Sequence, residues 1–293
     1  MKTFTPIAAA VLLATSGSVF AANNTTVQNQ NGVGNFQSSV QAGIGVDNNT
    51  VLQSQLGFFN VESALQTAGE DLSTIQQTQV GAVNVASSTQ AAGALNNASI
   101  TQVGAGNVGI TTQVASLLSS ANILQLGFVN VGLITQTLSL LDTASITQVG
   151  AGNFGNILQA FSAFNTADIV QGGIGNNANI AQVGAAFNDA DIIQAGFFNT
   201  GNIVQAGLGN SALKVQLGAG NVGDIVQVGF GLTATETQIG FANNSQTNQF
   251  GLGHISTTTQ VGAFNTHVTN QVGVGEVAVA NQNGFGNVGF ISQ

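Results

Sequence analysis

Along most of its length the chain alternates apolar or amide side chains with Ser, Thr, Val or Leu, in short runs bounded by Gly and Asn. Ala144, Ile146, Gln148 and Gly150 are followed by Asn153, Gly155, Ile157 and Gln159. The same order returns as Ala167, Ile169, Gln171 with Asn176, Ala178, Ile180, Gln182, and as Ala190, Ile192, Gln194 with Asn199, Gly201, Ile203, Gln205. A period of two, rich in β-branched residues, predicts short β-strands. Successive side chains on a strand point to opposite faces, so Ala, Ile and Gln share one face, and their small or branched shapes suit a thin, flat interior.

The alternation is organised by a longer repeat. Gln-x-Gly-x-x-Asn begins at Gln30, Gln55, Gln79, Gln102, Gln125, Gln148, Gln171, Gln194, Gln216, Gln238, Gln260 and Gln282, with a second Gln always eleven residues later, from Gln41 to Gln293. The steps between copies fall from 25 and 24 to 23 and finally 22, while the internal spacing of eleven never changes. All length variation therefore sits in the second connection of each unit, and the unit reads strand, fixed turn, strand, variable turn. Self-similarity at this period predicts a solenoid. The expected fold is all-β: a β-solenoid of twelve stacked two-strand repeats, roughly 58 Å long at one strand separation per unit.

Turn chemistry agrees with this geometry. Gly104-Ala105-Gly106-Asn107, Gly207-Leu208-Gly209-Asn210 and Gly284-Phe285-Gly286-Asn287 tolerate the positive φ that a tight reversal needs, and the single proline, Pro6, lies outside the repeats. Stacking turns the Gln and Asn positions into amide ladders, each side chain donating to one neighbour and accepting from the other. The expected ladder comprises Gln102, Asn107, Gln113, Gln125, Asn130, Gln136, Gln148, Asn153, Gln159, Gln171, Asn176, Gln182, Gln194, Asn199, Gln205, Gln216, Asn221 and Gln227.

Met1-Lys2-Thr3 followed by the apolar run Ile7–Ala14 and Val19-Phe20-Ala21 fits a secretory signal over 1–21. It leaves a short N-terminal segment, 22–29, and a repeat domain, 30–293. The processed chain would carry one cation, Lys214, against eleven acidic residues, a formal charge of 1 − 11 = −10. Nucleic acid, which requires a basic stripe, is excluded as a partner. Only 4% of residues are charged and cysteine is absent, so little charge keeps exposed strands apart and self-association is expected. The chain ends on Gln293, a ladder position, which predicts an unpaired strand edge able to template another copy.

Catalytic, metal and cofactor residues are expected to be absent. His254 and His267 stand thirteen residues apart in different units and are expected to be solvated or turn-facing. Asp189 and Asp191 read as surface or gatekeeping charges without a repeated acidic column beside them. Lys214 and Glu236 occupy the column two before Gln216 and Gln238, one 22-residue period apart, and form a candidate inter-rung salt bridge that fixes register. Phenylalanines such as Phe58, Phe128, Phe198, Phe241 and Phe285 gather at the fixed turn, either packed within the rod or forming an outer stripe.

With Gln-x-Gly-x-x-Asn, a small residue two positions on and a closing Gln recurring in register, as in Ile146-Thr147-Gln148-Val149-Gly150-Ala151-Gly152-Asn153, the chain resembles the curlin repeats of bacterial curli from about Gln28 to Gln293. It carries more repeats than familiar curlins. The column six before the first Gln, where curlins often have Ser, reads Asn96, Ser119, Asp142, Asn165, Asn188 and Asn210. The resemblance implies a secreted major subunit of a functional amyloid fibre, a fimbrium or pilus at the surface of a Gram-negative-type bacterium. It also implies roles in adhesion and biofilm matrix, with a nucleator subunit, an outer-membrane secretion pore and periplasmic chaperones as partners. The alternatives are a minor nucleator of the same fibre or a monomeric surface binder. Ice binding would need an uninterrupted Thr array, and Leu124, Leu158, Val170 and Ile193 break the one hinted at by Thr101, Thr112, Thr135 and Thr147. An enzyme on a β-helix lacks clustered acids or bases on one face.

Overall fold

The computed structural model describes residues 23–293, so the expected signal segment 1–21 lies outside the described residues. Twenty-four strands form two twelve-stranded sheets, odd-numbered strands in one and even-numbered strands in the other, with all pairing parallel. One strand from each sheet makes a rung, and twelve rungs stack into a parallel β-solenoid. The sixth rung, β11 (Thr143–Ala151) and β12 (Phe154–Ala163), is representative. β1 (Thr25–Val33) starts within the segment 22–29 and pairs along its whole length with β3 (Thr50–Phe58), so strand structure begins before the first Gln of the repeat.

Register is set by the repeat itself. Gln125, Gln148 and Gln171 are direct partners on neighbouring rungs, as are Ile123, Ile146 and Ile169. A slip of one residue would turn every buried column outward. The first turn is built on two glycines: Gly150 has φ 124° and Gly152 φ 63°. A Cβ at Gly150 would lie 2.0 Å from the Gly173 carbonyl oxygen of the next rung, so close stacking of backbones requires glycine there.

The second turn absorbs the period drift. In the 23-residue rungs it uses non-glycine residues in the left-handed region, such as Leu118 (φ 55°), Leu141 (φ 55°) and Phe164 (φ 56°). In the later 22-residue rungs it becomes a glycine pair like the first turn, as at Gly229 (φ 151°) and Gly231 (φ 66°). A 22-residue rung is thus two near-equal arcs of eleven. Gly207-Leu208-Gly209-Asn210 belongs to this second turn. The passage from one turn type to the other leaves a bulge between Gln182 and Ala185, where β14 (Asn177–Ala186) pairs with β16 (Thr200–Leu208).

The interior is narrow. Buried Ile100, Ile123, Ile146, Ile169 and Ile192 on one sheet meet Ile134, Ile157, Ile180, Ile203 and Ile225 on the other, with Ala columns beside them. Each buried Ile contributes about 1.5–3 kcal/mol. This apolar core occupies the middle rungs. Toward both ends the same columns turn polar: Gln53, Gln77, Glu62 and Ser88 near the start, and Lys214, Glu236, Thr247, Thr258, His267 and Thr269 near the finish, all buried.

Candidate assembly site: buried ladders and polar ends

Each rung contributes two glutamines to the interior. Gln102 Nε2 donates to Gln125 Oε1 (2.7 Å), Gln125 to Gln148 (2.8 Å), Gln148 to Gln171 (2.8 Å), Gln171 to Gln194 (2.9 Å) and Gln194 to Gln216 (2.7 Å). The second column runs likewise through Gln113, Gln136, Gln159, Gln182, Gln205 and Gln227 at 2.7–2.9 Å. The other hydrogen of each amide goes across the rung to a backbone carbonyl, as from Gln148 to Val131 (2.9 Å) and from Gln159 to Thr143 (3.1 Å). Every donor in both columns points toward the C-terminal end. Buried amides unpaired in this way would cost about 1–3 kcal/mol each.

The asparagines run the other way. Asn130 Oδ1 accepts the Asn153 backbone N–H and side-chain amide, both at 3.1 Å, while Asn153 Nδ2 reaches forward to Gly173 O (3.1 Å). Asn107, Asn176, Asn199 and Asn221 repeat this arrangement. Each Asn closes the first turn and ties it to its neighbours.

The column six before the first Gln, visible in the sequence only as a departure from curlins, is buried. Asn49, Ser73, Asn96, Ser119, Asp142, Asn165, Asn188 and Asn210 line the second turn, where a side-chain oxygen accepts the backbone N–H of the next member: Asn96 from Ser119 (3.1 Å), Asp142 from Asn165 (2.8 Å), Asn188 from Asn210 (2.8 Å). Gln28, Gln53 and Gln77 form another short ladder at 2.7 and 2.8 Å where the middle rungs have Ile. The short Gln ladder went unread in the sequence, although its members recur at a fixed offset from the first Gln.

Lys214 and Glu236 lie on adjacent rungs in register, at 0% and 1% exposure, with Nζ 2.5 Å from Oε2. Burial pulls the Lys214 pKa down, and Glu236 opposes that pull. The facing column makes room: a Cβ at Gly223 would lie 2.5 Å from Lys214 Nζ.

Two expectations need correction. His254 and His267 are buried, at 0% and 3% exposure, because they occupy inward columns. His254 extends the second-turn column, with Nδ1 against Glu276 Oε2 and Nε2 3.2 Å from Phe250 O. His267 Nε2 is 2.9 Å from Thr269 Oγ1. The acidic residues also form a column: Asp168 stacks directly on Asp191, with Asp189 on the same outward strand face. Partial burial, then the charges of Asp189 and Asp168, push the Asp191 pKa to about 6. The threonines fall on two sheets, Thr101-Leu124-Thr147-Val170-Ile193 on one and Thr112-Thr135-Leu158 on the other. Several phenylalanines are exposed, and some stack across rungs, Phe241 on Phe264 and Phe264 on Phe285 at 5.3 Å between ring centres.

Glu62 is fully buried near the N-terminal end. Its Oε2 accepts from Gln37 (2.9 Å), its Oε1 has no partner, and burial pushes its pKa to about 8. The folded state therefore holds a proton that the unfolded chain releases above the ordinary glutamate value of 4.5. Stability contributed here is present below that value and is lost as pH rises toward 8. Denaturation midpoints measured from pH 5 to pH 8 are expected to fall, by on the order of 3 kcal/mol at most. Glu62→Gln should flatten that dependence, and an equal slope in the variant would contradict it.

Among the described residues no group of three or more His, Cys, Asp or Glu side chains is placed to hold a metal ion, and no helix is long and apolar enough to cross a membrane. No protein-family model matches the chain, and no curated protein matches it.

Proposed function

We propose that this chain is a secreted, non-enzymatic structural subunit of the curlin type that stacks end to end into an amyloid-like fibre at a bacterial surface, for adhesion and matrix formation. The observation that carries this reading is the complementarity of the two end faces. On the last rung, β23 (Val277–Phe285) and β24 (Val288–Ser292), Gln282 and Gln293 each spend one amide hydrogen on Thr266 O (2.9 Å) and Val277 O (3.2 Å). Their second hydrogens continue the ladder direction. On the first rung the amides of Gln30 and Gln41 are directed to Gln55 and Gln66, which leaves their Oε1 atoms for the preceding position, that of Gln41 also accepting from Thr26 Oγ1 (2.9 Å). A second copy placed on the last rung extends both glutamine columns and the Asn287 column in register.

The regular, uncharged interior of the last rung favours the main fibre component over a nucleator. A pore, chaperones and a nucleator belong to the same proposal by resemblance. The test is to dilute the processed chain, Ala22 to Gln293, from denaturant and follow thioflavin fluorescence with and without preformed fibre fragments. Seeded growth without a lag is expected. A chain that stays monomeric for days at tens of micromolar would overturn the reading.

A further inference from the structure

The inward column that faces Ile in the middle rungs is glycine: Gly109, Gly132 and Gly155. At each of these, the place a Cβ would take is bordered by the Ile Cγ2 of the same rung at 2.8–3.0 Å, by the Nε2 of that rung's first ladder glutamine at 3.2–3.3 Å, and by the Oε1 of the next rung's glutamine at 3.5–3.6 Å. Gly289 is the last member of this column. There the Ile position is Ala280, too short to reach, and the space is filled from the rung below by His267, whose Nδ1 lies 2.6 Å from the Cβ point, with Gln282 Nε2 at 2.9 Å. A nitrogen thus borders the point that a methyl group borders at Gly109, Gly132 and Gly155. His267 is 3% exposed, and this Nδ1 has no hydrogen-bond partner within the chain. Nδ1 itself is covered, and the His267 side chain borders a depression of ≈ 500 Å³ at the C-terminal face, lined also by Ala280, Gln282, Asn287 and Ile291.

We infer that His267 is a docking residue for a second copy of this chain, donating from Nδ1 to the side-chain carbonyl of Gln30 of the incoming copy, beside the ladder bond from Gln282. The inference rests on the end-to-end reading above. In the middle rungs the next glutamine's Oε1 sits 3.5–3.6 Å from the glycine's Cβ point, and Gln30 of the next copy is the residue that takes that seat. Nε2 lies 2.9 Å from Thr269 Oγ1, and the docking bond requires the tautomer in which that hydroxyl donates and the neutral ring carries its proton on Nδ1. Burial holds the His267 pKa below its usual value, against the pull of Glu236, and so keeps the ring neutral. On the first rung the residue in His267's own column is Gln37, whose Nε2 is spent on Asn29 O (3.1 Å) and Glu62 Oε2 (2.9 Å); Gln30 Nε2 is likewise directed to Gln55 Oε1 (3.4 Å). The acceptor end is the part left for a partner.

The residual monomer at equilibrium with fibre reads the strength of this junction. His267→Phe is expected to raise it about tenfold, the loss of one buried hydrogen bond. Gln30→Leu should raise it further, because it also removes the ladder bond from Gln282. The double variant should raise it no further than Gln30→Leu alone, because the histidine bond is then already gone. A further rise of about tenfold in the double variant over Gln30→Leu would overturn the assignment while leaving fibre formation standing. A wild-type chain that forms no fibre overturns both readings. A measurement on unaltered protein guards against misfolded variants: in fibres grown from a mixture of ¹⁵N-His-labelled and ¹³C-Gln-labelled copies, solid-state NMR should show a protonated Nδ1 in contact with a side-chain carbonyl of the other copy. Absence of that contact in well-formed fibres would also sink the proposal.

Discussion

Lys214→Ile is expected to lower the stability of the solenoid by about 3–5 kcal/mol, because it strands a buried carboxylate. Glu236 is 1% exposed, its Oε1 already lacks a partner, and Lys214 Nζ is the group that holds Oε2. Replacing both residues, Lys214→Ile with Glu236→Ile, should be neutral or stabilising by about 1–4 kcal/mol. The double change extends the Ile column of the middle rungs by two members, opposite Gly223 in one rung and the small Ser245 in the next. Denaturant midpoints of the monomer, taken before assembly, distinguish the cases. A single variant as stable as the parent would show that the pair does not hold these rungs together. The design logic of the pair lies in register: a charge that has only one partner penalises a slipped stack more than an Ile does.

Gly150→Ala should have an effect of comparable size, above about 3 kcal/mol, combining a strained φ with steric overlap. The added Cβ would fall 2.0 Å from Gly173 O, and that oxygen is anchored by Asn153 Nδ2 at 3.1 Å. Relief requires moving two rungs apart, so hydrogen exchange should accelerate around Val149–Gly152 and Gly173–Asn176 before the rest of the rod. Gly152→Ala, two residues away, is the internal control. Its φ is 63°, nothing lies within 4 Å of its Cβ point, and Val129 holds the same position one rung earlier at φ 54°. That change should cost less than about 1 kcal/mol. Equal losses in the two variants would mean that conformation, rather than contact between rungs, decides the role of Gly150.

The rung itself was legible from sequence because one chemistry occupied one column. Only glutamine reaches across this interior with both a donor and an acceptor, so Gln148 and Gln159 recur with little variation, and the invariant spacing of eleven revealed the arc between them. The second turn was opaque for the opposite reason. Its task is to offer one acceptor to the next rung's backbone N–H, and Ser73, Asn96 and Asp142 all perform it, so the column was visible in the sequence but its common task was not. Left-handed residues in that turn were hidden too. Leu118 and Leu141 adopt positive φ without glycine's freedom, and each is held there by a backbone N–H bond to the previous rung, 3.0 Å to Ala94 O and 2.9 Å to Leu117 O. The histidines were misjudged because charge and spacing along the chain were weighed before column membership. His254 and His267 are buried since their neighbours two periods back, Asn210 and Gly223, are inward positions as well.

The single bearing of the glutamine columns has a consequence for symmetry. A twofold dimer would set identical faces against each other, amide hydrogens against amide hydrogens on one face or carbonyl oxygens against carbonyl oxygens on the other. End to end, the glutamine columns therefore disfavour the isologous contact that ends most assemblies at two copies. The end-to-end stacking proposed above is instead a heterologous contact related by translation along the axis, and translation never returns to its starting point. Such an assembly has no closed form and no preferred number of members, so its length is governed by the supply of subunits and by breakage.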